Sequence, residues 1–189
     1  MAHSISAATG KGKKNDELYT PQILVEPINK YLQLWARKYK IYPTVLCPFD
    51  NKKSEFVKLL KNWNVKVKYG HIESGQDFFT HDYGEWDICI SNPPFSKKLE
   101  VFKKLDEIGK PWAMICNVMM WNYHEIVDYF IDNEPELLFF NKRVSFDGNP
   151  SSFGSHYICR NLLPRKLICE SLENNNAGKY FVPSGMYTK

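Results

Sequence analysis

The chain alternates between segments with apolar residues at helical spacing and short, uninterrupted apolar runs. The first helical pattern follows Tyr19-Thr20-Pro21, in which Thr20 suits the N-cap and Pro21 the first helical position. Further amphipathic stretches predict helices at about 53–63, 99–108 and 123–131. Apolar runs predict strands at 44–47, 65–69, 86–90 and 112–118, and then at 137–140, 144–146 and 156–159.

This order of elements indicates an α/β fold. Helices and strands in alternation favour a mostly parallel central sheet with right-handed crossovers and helices on both faces. The last predicted strands follow one another without intervening helices, so we expect them to pair as antiparallel hairpins at the C-terminal edge of the sheet.

The polar ends of the chain bound a single predicted domain. Residues 1–14 are small, polar and basic, which predicts a flexible basic tail. Residues 174–189 follow an Asn-rich stretch, and we expect them to be loosely ordered. The remaining segment, 15–173, has the length of one domain.

Composition narrows the class of protein. Hydrophobic residues make up 43% of the chain and aromatic residues 15%, as in globular proteins. No apolar stretch approaches the roughly 20 residues that span a bilayer, and no apolar signal region opens the chain, so we expect a cytoplasmic protein with no membrane partner. The net charge of +4 permits a nucleic-acid partner without requiring one. The cysteines show no Cys-x-x-Cys spacing, and we expect no metal site.

The sequence Asn92-Pro93-Pro94-Phe95 directly follows the predicted strand 86–90. Two prolines make a stiff loop, and Asn92 is held extended because it precedes a proline. If the Asn92 side-chain oxygen and the Pro93 carbonyl each accept one N–H of an exocyclic amino group, the lone pair of that nitrogen becomes available for alkylation. Phe95 would stack on the planar substrate. The alternative is a proline-rich loop that only ends a strand.

In these residues the chain resembles the S-adenosylmethionine-dependent amino-methyltransferases, whose catalytic loop reads Asp or Asn, Pro, Pro and then an aromatic residue. The resemblance implies a Rossmann-like methyltransferase fold, S-adenosylmethionine as cofactor, and Asn92, Pro93, Pro94 and Phe95 as the catalytic residues. In that superfamily the loop serves adenine N6, cytosine N4, guanine N2 of RNA and protein glutamine. The motif therefore identifies the reaction better than the substrate.

The resemblance also implies contacts to the methionine end of the cofactor. Tyr19-Thr20-Pro21 matches a family feature that makes such contacts, although a plain helix start is the alternative. Family members usually carry a Gly-rich turn after the first strand, whereas this chain has Cys47-Pro48-Phe49-Asp50. We predict that this turn replaces the glycines and that Asp50 accepts a hydrogen bond from the cofactor's ammonium group. The alternative is that Asp50 and Ser54 simply begin the next helix.

Two further segments match the family's contacts to the adenosine part of the cofactor. Glu73 is the nearest acidic residue to the end of the second strand, where the family tends to bind the ribose hydroxyls. Asp77-Phe78 resembles the family's Asp-Phe pair, whose carboxylate accepts from the adenine amino group and whose ring packs near the base.

Basic and aromatic residues are mixed between 141 and 157, a combination that holds phosphates and stacks unpaired bases. A surface hairpin with an aromatic face in the core is the alternative. The predicted substrate-binding residues are Ser96, Lys98, Lys142, Arg143, Phe146 and Phe153. Residues 141–164 resemble compact bacteriophage-encoded adenine methyltransferase-like proteins, which share the Cys-Pro-Phe-Asp turn. This resemblance favours adenine N6 in DNA, either single-stranded or duplex, in a bacterial host cell.

A separate target-recognition domain, which sequence-specific DNA methyltransferases normally carry, does not fit in the predicted layout. We therefore expect low sequence specificity or a partner protein that supplies it. RNA guanine N2 and protein glutamine remain open as acceptors. A catalytically inactive, nucleic-acid-binding or regulatory subunit that kept the fold is the alternative from another functional class.

Overall fold

The computed structural model describes residues 19–63, 65–146 and 153–172, and the predicted tails at 1–14 and 174–189 lie outside them. The helices of this part are α1 (Gln22–Tyr39), α2 (Glu55–Asn62), α3 (Lys98–Ile108) and α4 (His124–Asp132). The strands are β1 (Thr44–Cys47), β2 (Lys66–Tyr69), β3 (Ile88–Ser91), β4 (Trp112–Asn117), β5 (Glu136–Phe140), β6 (Ser155–Arg160) and β7 (Leu167–Glu170). The predicted alternation of helices and strands is confirmed.

These strands form one sheet in the order β2-β1-β3-β4-β6-β5-β7. Neighbours are parallel from β2 to β4, β6 is antiparallel to β4 and β5, and β7 is parallel to β5. The sheet is therefore mostly parallel with antiparallel pairing near the C-terminus, as predicted. The antiparallel strand lies inside the sheet, and β7, which the apolar pattern did not predict, forms the edge.

Alternation along the central strands explains why helices cover both faces. Ile88 and Ile90 of β3 pack with α1 and α2, whereas Cys89 between them packs with α3 and α4. All three side chains are fully buried. Two apolar clusters therefore lie on opposite sides of the sheet, and the predicted placement of helices on both faces is confirmed.

Two local predictions are wrong. Helix α1 has Pro21 as its N-cap residue with no side-chain cap, so Thr20 does not cap it. Residues 144–146 are not a strand, because Val144 and Phe146 pack half-buried against the apolar cluster under α1 and α2 without pairing to a neighbour in the sheet.

The topology brings several chain segments to one edge of the sheet. The carboxyl ends of β1, β3 and β4 point the same way, and the amino end of β6 meets them because Ser155 pairs with Asn117. The segment between β5 and β6 starts and ends at this edge. We call it the carboxyl edge of the sheet, which is where open α/β sheets bind their ligands.

Candidate active site at the carboxyl edge of the sheet

The loop Asn92-Pro93-Pro94-Phe95 leaves the carboxyl end of β3, as the sequence predicted. Pro93 is buried, while Asn92, Pro94 and Phe95 are half-buried. Phe95 opens a single 3-10 turn that leads directly into α3, and the Lys97 amide donates to the Pro94 carbonyl at 3.2 Å. The loop is thus held between a central strand and a helix.

Lys98, predicted to bind substrate, begins α3 and is buried rather than open to solvent. Its Nζ lies 4.4 Å from the centre of the Phe95 ring, a cation-π contact that covers one side of that ring. Burial of His156 is the main cause that lowers the pKa of this histidine to about 3, and the charge of Lys98 lowers it further. Lys98 therefore orients Phe95 from within the protein, and Ser96 is the exposed neighbour.

The turn Cys47-Pro48-Phe49-Asp50 follows β1 and runs beside Gly70, which follows β2. The Gly70 amide donates to the Cys47 carbonyl at 3.2 Å, and the Asp50 amide donates to the Gly70 carbonyl at 3.0 Å. A Cβ at Gly70 would come within 2.7 Å of the Tyr83 ring. Position 70, beside the β1 turn, therefore has no room for a side chain unless the Tyr83 ring moves.

Asp50 lies in the centre of the site and is buried. Its carboxylate accepts hydrogen bonds from the Ser54 and Ser91 hydroxyls. Burial raises the pKa of Asp50 to about 6, and the two hydroxyls and the nearby His71 offset part of that rise. Ser54 also caps α2, since its oxygen accepts from the Phe56 amide at 3.2 Å. Asp50 thus does help to begin the next helix, but it also reaches the last residue of β3.

The start of α1 contacts the same turn. Asn51 Nδ2 donates to the Tyr19 hydroxyl at 2.8 Å. Thr20 is buried, and its hydroxyl has no hydrogen-bond partner among the described residues. A buried hydroxyl without a partner costs about 1–3 kcal/mol, so such a group is often explained by a molecule that the protein binds. Tyr19-Thr20-Pro21 and the β1 turn, predicted separately, therefore form one wall.

The predicted adenosine contacts differ in placement. Phe78 is buried and meets the ring of Phe49 from the β1 turn, edge to face, with 5.2 Å between ring centres. Asp77 is half-buried, and one carboxylate oxygen accepts from the Phe79 amide at 2.9 Å. Glu73 lies in the turn Ile72–Ser74 with its side chain exposed. The structure thus brings Asp77-Phe78 against the β1 turn and leaves the Glu73 carboxylate in solvent.

The predicted substrate-facing segment connects β5 to β6 at the carboxyl edge. Lys142 and Arg143 are exposed, while Phe146 packs half-buried against the core and Phe153 is half-buried. Residues 147–152 lie outside the described part of the chain. The Lys142 and Arg143 side chains are exposed at the edge that also carries Asn92, whereas Phe146 packs against the core.

No protein-family model matches the sequence, and no curated protein matches it at a significant level. A solved structure does match the fold: a Listeria monocytogenes protein described provisionally as a class I S-adenosylmethionine-dependent methyltransferase. The TM-score is 0.52, the identity is 12%, and the match covers 88% of this chain and 69% of that one. The fold is that of a Rossmann-like methyltransferase. This confirms the fold class predicted from the sequence.

Within this methyltransferase fold, three residues that the sequence analysis did not assign lie at the site. Ser91 and Asn51 bond to predicted site residues, and His71 lies close enough to Asp50 to affect its pKa. A sequence signal existed for Ser91, because a polar residue at the end of an otherwise apolar buried strand needs a partner. The partner of Ser91 is 41 residues away in sequence and could not be identified from it.

A second group missed by the sequence analysis surrounds His156 at the start of β6. Trp121 Nε1 donates to His156 Nε2 at 3.0 Å, and Phe139 stacks on the imidazole with 4.9 Å between ring centres. His156 is fully buried, and burial keeps it neutral. This group supports the edge of the methyltransferase fold next to the ends of β4 and β5.

Among residues 19–63, 65–146 and 153–172, no group of histidine, cysteine or acidic side chains is arranged to hold a metal ion. None of the helices at 22–39, 55–62, 98–108 and 124–132 combines the length and apolarity needed to cross a membrane.

Proposed function

We propose that the protein is an S-adenosylmethionine-dependent methyltransferase that acts on an exocyclic amino group, with N6 of adenine in DNA as the acceptor. One observation carries the proposal. The sequence Asn92-Pro93-Pro94-Phe95 begins where β3 ends, in the middle of the carboxyl edge and beside the β1 turn of a Rossmann-like methyltransferase fold.

The chemistry of the loop supports an amino acceptor. The Asn92 side-chain oxygen and the Pro93 carbonyl each accept a hydrogen bond from one N–H of the substrate amino group. These two hydrogen bonds direct the lone pair of the amino nitrogen toward the methyl group of the cofactor. Neither Pro93 nor Pro94 has an N–H, so the loop presents acceptors without competing backbone donors. Phe95, fixed from behind by Lys98, offers an aromatic surface for a planar base. Catalysis then consists of positioning and preorganised dipoles.

The residues at the edge fit the cofactor. S-adenosylmethionine supplies an electrophilic methyl group together with a carboxylate, an ammonium group and an adenosine. The buried Thr20 hydroxyl and the Tyr19–Asn51 contact are suited to its polar methionine end, and the unsatisfied Thr20 hydroxyl gains a partner there. The Phe49–Phe78 pair supplies an apolar wall for its base, with Asp77 alongside.

DNA is the preferred substrate because exposed Lys142 and Arg143 share the edge with Asn92. A single-stranded site would present an unpaired adenine without the free-energy cost of base flipping. Specificity from a partner protein, a bacterial host cell and the alternatives of RNA guanine N2 or protein glutamine remain predictions from the sequence resemblance.

The first test is calorimetric titration with S-adenosylmethionine and S-adenosylhomocysteine, which requires no knowledge of the acceptor. We expect micromolar binding of both. Absence of binding would contradict the proposal and favour the inactive, nucleic-acid-binding subunit, whose β1 turn lacks the usual glycines.

The second test identifies the acceptor and the role of Asn92. Methyl-labelled cofactor is incubated with single-stranded DNA, duplex DNA, RNA and protein, and the products are digested and separated by mass spectrometry. We expect label in N6-methyladenine, and Asn92→Ala should lower turnover on the order of 10²–10³-fold while cofactor affinity stays within about threefold. Asn62→Ala, at the exposed end of α2, is the matched control and should keep full turnover. Full activity of Asn92→Ala would refute the assignment.

A further inference from the structure

Asp50 is an unusual residue to find in the interior of this site. Only 7% of the residue is exposed, and a buried carboxylate is costly unless hydrogen bonds compensate it. The compensation comes from two serine hydroxyls, one on each side of the carboxylate. Because burial of this carboxylate is costly, we expect Asp50 to have a role that a neutral residue at position 50 could not fill.

The carboxylate connects three elements of the carboxyl edge. Asp50 lies in the turn after β1, and its amide is bonded to the Gly70 carbonyl after β2. One oxygen accepts from Ser54, the N-cap residue of α2. The other accepts from Ser91, the last residue of β3, which directly precedes Asn92. Asp50 is therefore the link between the proposed cofactor wall and the start of the catalytic loop.

The two prolines limit how the loop can be held through its own backbone. Pro93 and Pro94 have no N–H, so two consecutive positions after Asn92 cannot donate a backbone hydrogen bond. Ser91 is fully buried, and its hydroxyl bonds to a carboxylate rather than to a neutral acceptor. Hydrogen bonds to charged groups are shorter and stronger than neutral ones.

We infer that Asp50 is a positioning residue, which fixes the start of the loop Asn92-Pro93-Pro94-Phe95 through Ser91 and couples that loop to the β1 turn. The inference rests on the proposed function. It differs from the prediction that Asp50 binds the cofactor's ammonium group, because each carboxylate oxygen accepts a hydrogen bond from a serine hydroxyl and only 7% of the residue is exposed.

The two serines provide a matched pair of variants. Ser91→Ala removes the bond on the loop side, and Ser54→Ala removes the bond on the α2 side together with the helix cap. We expect Ser91→Ala to lower kcat at least tenfold while cofactor affinity stays within threefold. Hydrogen–deuterium exchange should increase in the peptide that covers residues 88–98. Ser54→Ala should lower the melting temperature, with kcat within twofold and no faster exchange in that peptide.

Three outcomes would overturn the inference. Equal losses of kcat in both variants would indicate a general packing effect. A tenfold loss of cofactor affinity in Ser91→Ala with unchanged kcat would return Asp50 to the role of cofactor ligand. Unchanged exchange at residues 88–98 in Ser91→Ala would show that the bond does not hold the loop. If the wild-type protein methylates no acceptor, the proposed function fails, while the exchange measurement still decides whether Asp50 positions the loop.

Discussion

At the scale of single residues, the burial of Asp50 predicts a specific pH dependence of stability. Its folded-state pKa of about 6 lies above the ordinary value of 3.8, so between these values the folded state binds more protons than the unfolded state. The contribution of Asp50 to the free energy of unfolding therefore falls as the pH rises through this window. The full effect is roughly 3 kcal/mol.

Asp50→Asn isolates this effect, because all other titrating groups are common to both proteins. We expect the stability of Asp50→Asn relative to wild type to increase by up to about 3 kcal/mol between pH 4 and pH 7.5. Urea unfolding at several pH values measures the difference. A constant difference, or one that shrinks as the pH rises, would mean that the carboxylate is not penalised by burial.

Residues of the site differed in how far the sequence could predict them. Asn92, Pro93, Pro94 and Phe95 are contiguous, so their chemistry and their position after a strand could be read directly. The Ser91–Asp50 bond joins two strands' ends, and only the folded sheet brings them together. Lys98 was predicted to bind substrate, but its long stem allows it to be buried against Phe95.

At the scale of elements, the C-terminal end of α1 contains backbone strain that a glycine substitution should relieve. Lys40 is the C-cap residue and adopts a left-handed conformation, with φ of 54°, while its amide bonds to the Ala36 and Arg37 carbonyls. Only glycine adopts this conformation without cost. Lys40→Gly should therefore raise the free energy of unfolding by about 0.5–1 kcal/mol.

The control for Lys40→Gly is the same change two residues earlier. Lys38 is inside α1 with helical geometry, where glycine should cost about 1 kcal/mol. Both residues are exposed, and α1 ends beside the start of β1, at the edge opposite the site. Urea unfolding at one pH compares the two variants. Destabilisation by Lys40→Gly would contradict the account of strain at the helix end.

The elements with the strongest burial were predicted best. Strands β1, β3 and β4 are almost entirely buried, so each appears in the sequence as an apolar run. Strand β7 is an edge strand in which only Ile168 is buried, and its pattern of exposed and buried residues resembles a loop. At residues 144–146 the sequence predicted a strand that does not form, because Val144 and Phe146 contact the core without joining the sheet.

At the scale of the whole molecule, the order of the strands decides where charge can act. The sequence predicted a mostly parallel sheet, but it could not give the position of β6 between β4 and β5, which depends on pairing of residues far apart in the chain. That position brings the segment carrying Lys142 and Arg143 back to the edge with Asn92. The net charge of the chain could not predict that these two basic residues lie at the edge with Asn92.

The role of the basic residues at the carboxyl edge can be tested by comparing two pairs of basic residues at opposite edges of the sheet. Lys142→Ala/Arg143→Ala removes exposed charge at the carboxyl edge, and Arg37→Ala/Lys38→Ala removes the same charge at the end of α1. For single-stranded DNA, each lost phosphate contact should flatten the dependence of log affinity on log salt concentration by about 0.7. We expect a change of about 1.4 for the first variant and almost none for the second.

Fluorescence anisotropy with a labelled oligonucleotide at several salt concentrations gives these slopes. Equal changes in both variants would mean that the protein attracts DNA through its overall charge, without a preferred edge. No change in the Lys142/Arg143 variant would mean that DNA does not lie along the segment between β5 and β6, and the acceptor would then have to reach Asn92 from the side of α3. A change confined to that variant would instead orient the nucleic acid across the carboxyl edge, because Asn92 and the two basic residues would then contact one strand.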